Sequence, residues 1–382
     1  MANRIMRVSV ASLLVGSACD VLSPRRSSGT EYYRLRWSTT ARAAPVTAAS
    51  ANGHVFFLGD DHRLHAVNEA SGVHEWIGGY TQVNGFPASG LATSTDLVIV
   101  PDFVLYAFDQ QTGQLRWFYR DPVTTGPGYF TPVFAGDGLL TGSESGYAYH
   151  LRTSDGTLRW RVYVGTDSAP TRVWEPAVAG TVAVFSFQRN TRTLTGGIVA
   201  LDLASGSELW RQELTPAVPG MLAGPLEAPI IRDSLVIVAG EDGTVHAFDL
   251  TSGRAVWATA RSSGLGLLEN ELLQIAASQT SIVIASSSGA LSSIDIHSGA
   301  VRWTSNLNRG ESLLAPLSVH AGTIYTVLLG GQLVAVSELS GSVLWRSPEG
   351  GGSRVWTVRP LVTDSSVIVP GPSTVLAYRR YR

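Results

Sequence analysis

The side chains that could do chemistry are few. Four of the eight histidines, His54, His62, His65 and His74, lie near Asp60 and Asp61, a composition that suits a metal ion. They fall on different expected strands with no compact ligand spacing, so they read as solvated or edge-strand histidines. Gly264 and Gly266 begin a glycine-rich loop, but Glu269 stands where a third glycine is needed, and no helix follows to receive a pyrophosphate. The chain has no Gly-x-Ser-x-Gly elbow and no His-Glu-x-x-His. Its 28 Lys+Arg against 30 Asp+Glu leave a net charge of −2, which argues against a general nucleic-acid surface.

Cys19 is the only cysteine, which excludes an intramolecular disulfide and a Cys-ligated zinc or iron–sulfur site. Arg4 and Arg7 precede the short apolar run 8–15, and Gly16-Ser17-Ala18 leads up to the thiol. That run is far shorter than the ~20 residues needed to span a bilayer and reads as an export signal. With the lone cysteine behind it, the start resembles a bacterial lipoprotein signal, although Gly16 stands where such signals carry an aliphatic residue. The expected division is a signal at 1–18, a lipidated Cys19 opening a tether over 19–30, and one folded domain over 31–382.

What positions any functional residue is a repeat. A glycine stands four residues before a tryptophan seven times: Gly72/Trp76, Gly113/Trp117, Gly156/Trp160, Gly206/Trp210, Gly253/Trp257, Gly299/Trp303 and Gly341/Trp345. Successive tryptophans are 41, 43, 50, 47, 46 and 42 residues apart, the period of a four-stranded propeller blade. Each unit holds short β-branched runs, as in 235–240, 245–249 and 254–257, separated by turn residues. The Asp-x-x-Ser/Thr-Gly segment reads as a tight hairpin whose glycine takes the left-handed conformation. A proline before small apolar residues marks the innermost strand: Pro45, Pro132, Pro176, Pro229, Pro316 and Pro360, a position where no ladder donor is lost. The repeated tryptophans read as wedges between blades, each burying ~150–250 Å².

The ends of the array imply how it closes. Segment 32–37 is a Trp-ended strand with no hairpin before it, and the last unit stops at Arg382 without a fourth strand. The fold class expected is therefore all-β: an eight-bladed propeller whose last blade joins strands in 358–382 to strand 31–38, which leaves no open edge at the seam. Trp37 becomes the eighth wedge. Arg379, Arg380 and Arg382 read as a solvated end.

Ala247-Phe248-Asp249…Gly253…Trp257, Ala107-Phe108-Asp109…Gly113…Trp117 and Ala200-Leu201-Asp202…Gly206…Trp210 resemble the repeats of the pyrroloquinoline-quinone propeller superfamily. Asn68, Arg152 and Ser337 replace the aspartate in three units. One branch, the quinone-dependent dehydrogenases, carries the quinone and calcium on the propeller axis, commonly under a disulfide between adjacent cysteines. The other, the BamB branch, has eight blades and no cofactor, and serves as a lipoprotein subunit of the machinery that assembles outer-membrane β-barrels. The lone cysteine, the short loops and the lipoprotein-like start favour the second. That resemblance implies a non-enzymatic, exported, membrane-attached scaffold without catalytic, cofactor or metal residues, monomeric within a membrane hetero-complex, with the outer membrane favoured over the inner. The alternatives are a dehydrogenase using the quinone and calcium, or a scaffold subunit of another membrane complex.

The candidate partner-binding residues lie on one face of the expected ring. The loop 187–193 carries Arg189 and Arg192, and the crossover into the fourth blade carries Arg172, Trp174 and Glu175, an Arg/aromatic mixture typical of interface hot spots. The BamB family has a Leu-x-Leu-Arg pattern in that crossover, implicated in binding its assembly partner; this chain has Arg172-Val173-Trp174-Glu175. Arg354 and Trp356 repeat the Arg-Val-Trp triplet four blades on, so Trp174 and Trp356 are expected to face each other across the axis. There they grip an extended peptide, a sugar or a flat ring, or, more simply, pack inward on the first strands.

Overall fold

The computed structural model describes residues 32–40, 45–80, 90–124, 128–165, 169–189, 195–214, 224–225, 227–240, 242–259, 273–286, 289–307, 316–328, 331–348, 358–371 and 374–381. Cys19, Arg192, Arg354 and Trp356 lie outside these residues.

Every described segment is strand or turn, and the strands form eight separate four-stranded antiparallel sheets. Blades one to seven run in chain order over 45–80, 92–119, 133–163, 171–214, 230–259, 273–306 and 318–346. Blade eight is ordered Leu361–Val362, Ser366–Pro370, Thr374–Tyr381 and then Tyr32–Thr40. Tyr32 pairs with Tyr381 and Thr40 with Thr374, so the expected seam is present. Eight apolar clusters follow, one between each pair of neighbouring blades. The closing cluster joins Trp37, Ile368, Val375 and Ala377 to Val55, Phe57 and Val67.

The hairpin between the outer two strands works as the residue types imply. Asp109 Oδ1 accepts the backbone N–H groups of Gln111 and Thr112 at 3.0 and 2.9 Å, and Gly113 follows at φ +67°. Such side-chain caps replace ladder bonds that the turn cannot make. The wedge reaches beyond its own blade. Each of seven tryptophans, from Trp37 to Trp303, donates its indole N–H to a turn carbonyl of the next blade at 2.7–3.1 Å. Its ring lies under that blade's turn glycine, where an added Cβ would stand 2.5–2.8 Å from ring carbon. Gly253 is thus doubly constrained, by φ +68° and by Trp210 at 2.6 Å. Gly253→Ala is expected to cost about 2–4 kcal/mol, left-handed strain plus overpacking. Gly53→Ala should cost only about 1 kcal/mol of strain, because Gly53 has φ +78° but nothing within 4 Å. Urea melts of the two variants check the difference.

At the seam Tyr33 takes the place of the missing glycine. Its ring centroid lies 4.7 Å from Trp345, and its hydroxyl is 2.9 Å from that of Tyr325.

Several features depart from the sequence reading. In all eight blades the outer strand bulges immediately before the tryptophan, as at Ala107/Phe108, which pair with Trp117 and Leu115. A bulge re-aims side chains, and here it coincides with the ring turned toward the next blade. Pro176 lies inside the strand Thr171–Ala179, at a register shift, and does not begin it. Arg380 is no solvated end: it is 7% exposed, bonds the Thr363 carbonyl at 3.3 Å and lies over the Tyr325 ring. His65 is neither solvated nor on an edge. It is fully buried on a third strand, stacked on Phe57 at 4.8 Å and bonded to Asp61 at 3.1 Å.

Candidate functional site

Two regions gather polar side chains: the crossover face and the axis beneath it. Blade four positions the first, because its two innermost strands, Thr171–Ala179 and Val182–Arg189, are longer than their counterparts in the other blades. Of the expected loop 187–193, residues 187–189 are strand and 190–193 lie outside the described residues, and the crossover 172–175 is strand. Phe187 is fully buried, and Arg189 and Arg211 lie over its ring at 4.8 and 5.0 Å. Arg189 makes two bonds of 2.7 Å to Glu213, so an internal carboxylate already satisfies this candidate. Arg172 is exposed near the start of its strand and pairs with Gln188, while Arg189 pairs with Thr171. Arg172 and Arg189 lie at the same end of blade four, on adjacent strands and one register position apart.

Trp174 points elsewhere. It lines the axial cavity with its centroid 4.6 Å from Phe130, and its indole N–H is buried without an acceptor. The cavity measures about 990 Å³ and is walled by the first strands and the residues leading into them. Its charged lining is Glu175, Glu227, Arg232, His320 and Arg359. Protein encloses Glu175 and Glu227 except toward the channel. Burial raises the carboxyl of Glu175 despite the bond from Thr131 Oγ1 at 2.9 Å. Burial likewise raises Glu227 to about 7, opposed by the Arg359 charge and the Ile275 N–H.

Reading the sequence missed Glu227 and Arg359 and named Glu175 only in passing. A signal was there. Thr131, Glu175 and Arg359 directly precede the strand-one proline, and Glu227 stands two before it, which is where each blade reaches the axis.

A second buried network joins blades two and three. Asp121, 2% exposed, accepts from Arg161 Nη1 at 2.7 and 3.0 Å, from the Tyr149 hydroxyl at 2.7 Å and from Val123 N at 2.9 Å. Burial alone would raise its carboxyl, but these donors together hold it below the usual carboxylate range. Tyr119 beside it is pushed up to about 12, by burial first and by the Asp121 charge second.

Comparison with known proteins places the whole assembly. A family model described as outer membrane protein assembly factor BamB matches residues 20–192, 171–313 and 288–379. The factor BamB of Yersinia pestis is 26% identical over 159 residues, 40% of this chain and 38% of that protein. That of Burkholderia pseudomallei (strain K96243) is 28% identical over 225 residues, 56% of this chain and 52% of that one. The matched stretches thus span about half or less of these relatives. The crystal structure of BamB from Moraxella catarrhalis superposes with a TM-score of 0.70 at 14% identity, over 91% of this chain and all of that one. A quinohemoprotein alcohol dehydrogenase from Comamonas testosteroni gives 0.70 at 15% identity, over 91% and 76%. At such identity the structural likeness shows the fold alone.

Among the described residues, the axial donor set does not fit the quinone and calcium of the dehydrogenase branch. Among the described residues no group of three or more His, Cys, Asp or Glu could hold a metal ion. The two axial carboxyls share their cavity with the guanidinium of Arg359, which opposes a divalent cation. A seven-times repeated Gly-Trp unit, a ring closed by its own N-terminal strand and a family match along residues 20–379 agree: the chain belongs to the family of the outer membrane protein assembly factor BamB.

Proposed function

We propose that this protein is a non-enzymatic, extracytoplasmic scaffold of outer-membrane β-barrel assembly, tethered by lipid on Cys19 through residues 19–30. The family match along residues 20–379 carries this reading. The start of the chain supports the tether, since 8–15 is an export-signal run ahead of a single cysteine. Docking is assigned to the crossover face around blade four. Arg172 offers an exposed guanidinium there, Arg189 adds one already braced by Glu213, and Trp174 lines the cavity mouth beside them. Arg192, Arg354 and Trp356 are assigned to the same face from sequence position.

The test is a crosslinked pull-down of the exported protein from membranes. Barrel-assembly subunits are the expected catch; a different membrane complex refutes the assignment. Arg172→Ala with Trp174→Ala should weaken capture by about 10–100-fold, as loss of two hot-spot residues does, with the melting curve checked in parallel.

A further inference from the structure

Among the described residues, the axial cavity holds charges that its own walls do not balance. Glu175 spends one oxygen on Thr131, whereas Glu227 has only the Ile275 N–H at 3.5 Å. Its neighbour Ser186 bonds the Glu227 backbone carbonyl, leaving the carboxyl aside. Arg359 is exposed toward the cavity and forms no ion pair with either acid. The other charged groups of the lining turn away or are matched. Arg232 bonds the carbonyls of Ser278 and Ile231, and His320 stands 3.2 Å from Asp364. With both acids ionised, Glu175, Glu227 and Arg359 leave one net negative charge in a space of about 990 Å³. That volume is the size of a small-ligand pocket. The remaining lining is largely apolar, with Leu91, Val178, Ile230 and Ile275, and the Trp174 ring adjoins Glu175 in the chain.

We infer that the axial cavity is a binding site for an organic cation, an ammonium or guanidinium group on an apolar stem, with Glu175 and Glu227 taking the charge and Trp174 flanking the stem. A divalent metal is disfavoured by Arg359 and by the want of a third donor among the described residues, whereas a single diffuse charge needs only two carboxylates and gains from an aromatic face. An anion would have Arg359 alone for it and two acids against it. The raised carboxyls of Glu175 and Glu227 are what burial without a matching cation produces, and an incoming cation relieves it. Binding is thereby linked to protons. Where Glu227 or Glu175 is protonated the cation must displace that proton, so affinity rises with pH, and for Glu227 this rise extends to pH about 7. This inference shares Trp174 with the proposed docking face but does not rest on the assembly role.

The test is a titration of the purified full chain, by calorimetry and tryptophan fluorescence, with N-acetyl-lysinamide and n-butylguanidinium. N-acetyl-norleucinamide is the neutral control. Saturable binding of both cations and not of the control is expected, at least tenfold tighter at pH about 8 than at about 5.5. Glu227→Gln should weaken it and flatten the pH dependence, while Arg359→Ala should tighten it several-fold by removing a like charge. A heptapeptide with one central lysine tells the source. Tighter binding than the small amide assigns the cation to a polypeptide segment, and equal binding to a free amine. Equal binding of the neutral control, no saturable binding, or weaker cation binding by a folded Arg359→Ala overturns the inference.

Discussion

A chain beginning at residue 41 is expected to lose cooperative folding outright, whereas one beginning at residue 31 should melt like the full protein. The strand Tyr32–Thr40 supplies the outer edge of blade eight, paired from Tyr32↔Tyr381 to Thr40↔Thr374. It also supplies Trp37 to the interface with blade one and Tyr33 to the interface with blade seven. Losing one buried aromatic side chain costs ~3–5 kcal/mol. Two of them, with a whole ladder, remove most of the ~5–15 kcal/mol that holds a typical fold. The loss also leaves Thr374–Tyr381 as a bare edge open to pairing with other chains. Urea unfolding with size-exclusion chromatography checks this, and a synthetic peptide of residues 31–40 should restore the transition in trans. An unchanged melting curve for the shorter chain would show that the ring does not need its seam.

Replacing Arg161 should destabilise the protein by about 2–4 kcal/mol, because removing one partner of a buried pair strands the other charge. Asp121 is wholly buried on its side-chain atoms, while Arg161 is a quarter exposed, which trims the effect below that of a fully enclosed pair. Arg161→Met keeps most of the stem, so the loss reads the charge. Adding Asp121→Asn should recover much of it, since the orphaned charge is then gone. The sign with pH follows from the depressed carboxyl of Asp121. A folded-state pKa below the unfolded ~3.9 gives stability that is present above that value and lost as pH falls through the folded pKa. Wild type and Arg161→Met should therefore differ at neutral pH and converge toward pH about 3. Urea midpoints across that range measure it, and an undiminished gap in acid would assign the effect to packing.

The architecture was legible because one local requirement recurs. The turn needs a glycine at positive φ, and the preceding blade's tryptophan lies against that same glycine, so Gly253 answers to its hairpin and to Trp210 together. Two constraints on one position leave a strong mark in residue types. The unpaired strand 32–37 and the unfinished last unit gave the seam on the same logic. The bulge before each tryptophan left no such mark, since a slipped hydrogen-bond register places no special demand on residue type there.

The candidate site was harder to read. Arg189 looked like a free loop arginine because the partner that occupies it, Glu213, lies 24 residues away. His65 shared a cluster with exposed neighbours in sequence but stacks inside the blade on Phe57. Glu175, Glu227 and Arg359 are ordinary surface residues by type. What sets them apart is that inner strands from blades four, five and eight bring them to one axis, and convergence of that kind is a property of the closed ring.

The proposed docking surface is the crossover face around the inner strand of blade four, and its proposed partner is the barrel-assembly machinery. This pairing is tested most directly by photo-crosslinking in intact cells. One reactive residue replaces Arg172 at the crossover rim, and another replaces Arg254 on the hairpin turn at the opposite end of the blades. A discrete adduct with a barrel-assembly subunit is expected from position 172 and none from 254. An adduct from 254 alone, or one from 172 to an unrelated complex, would contradict it.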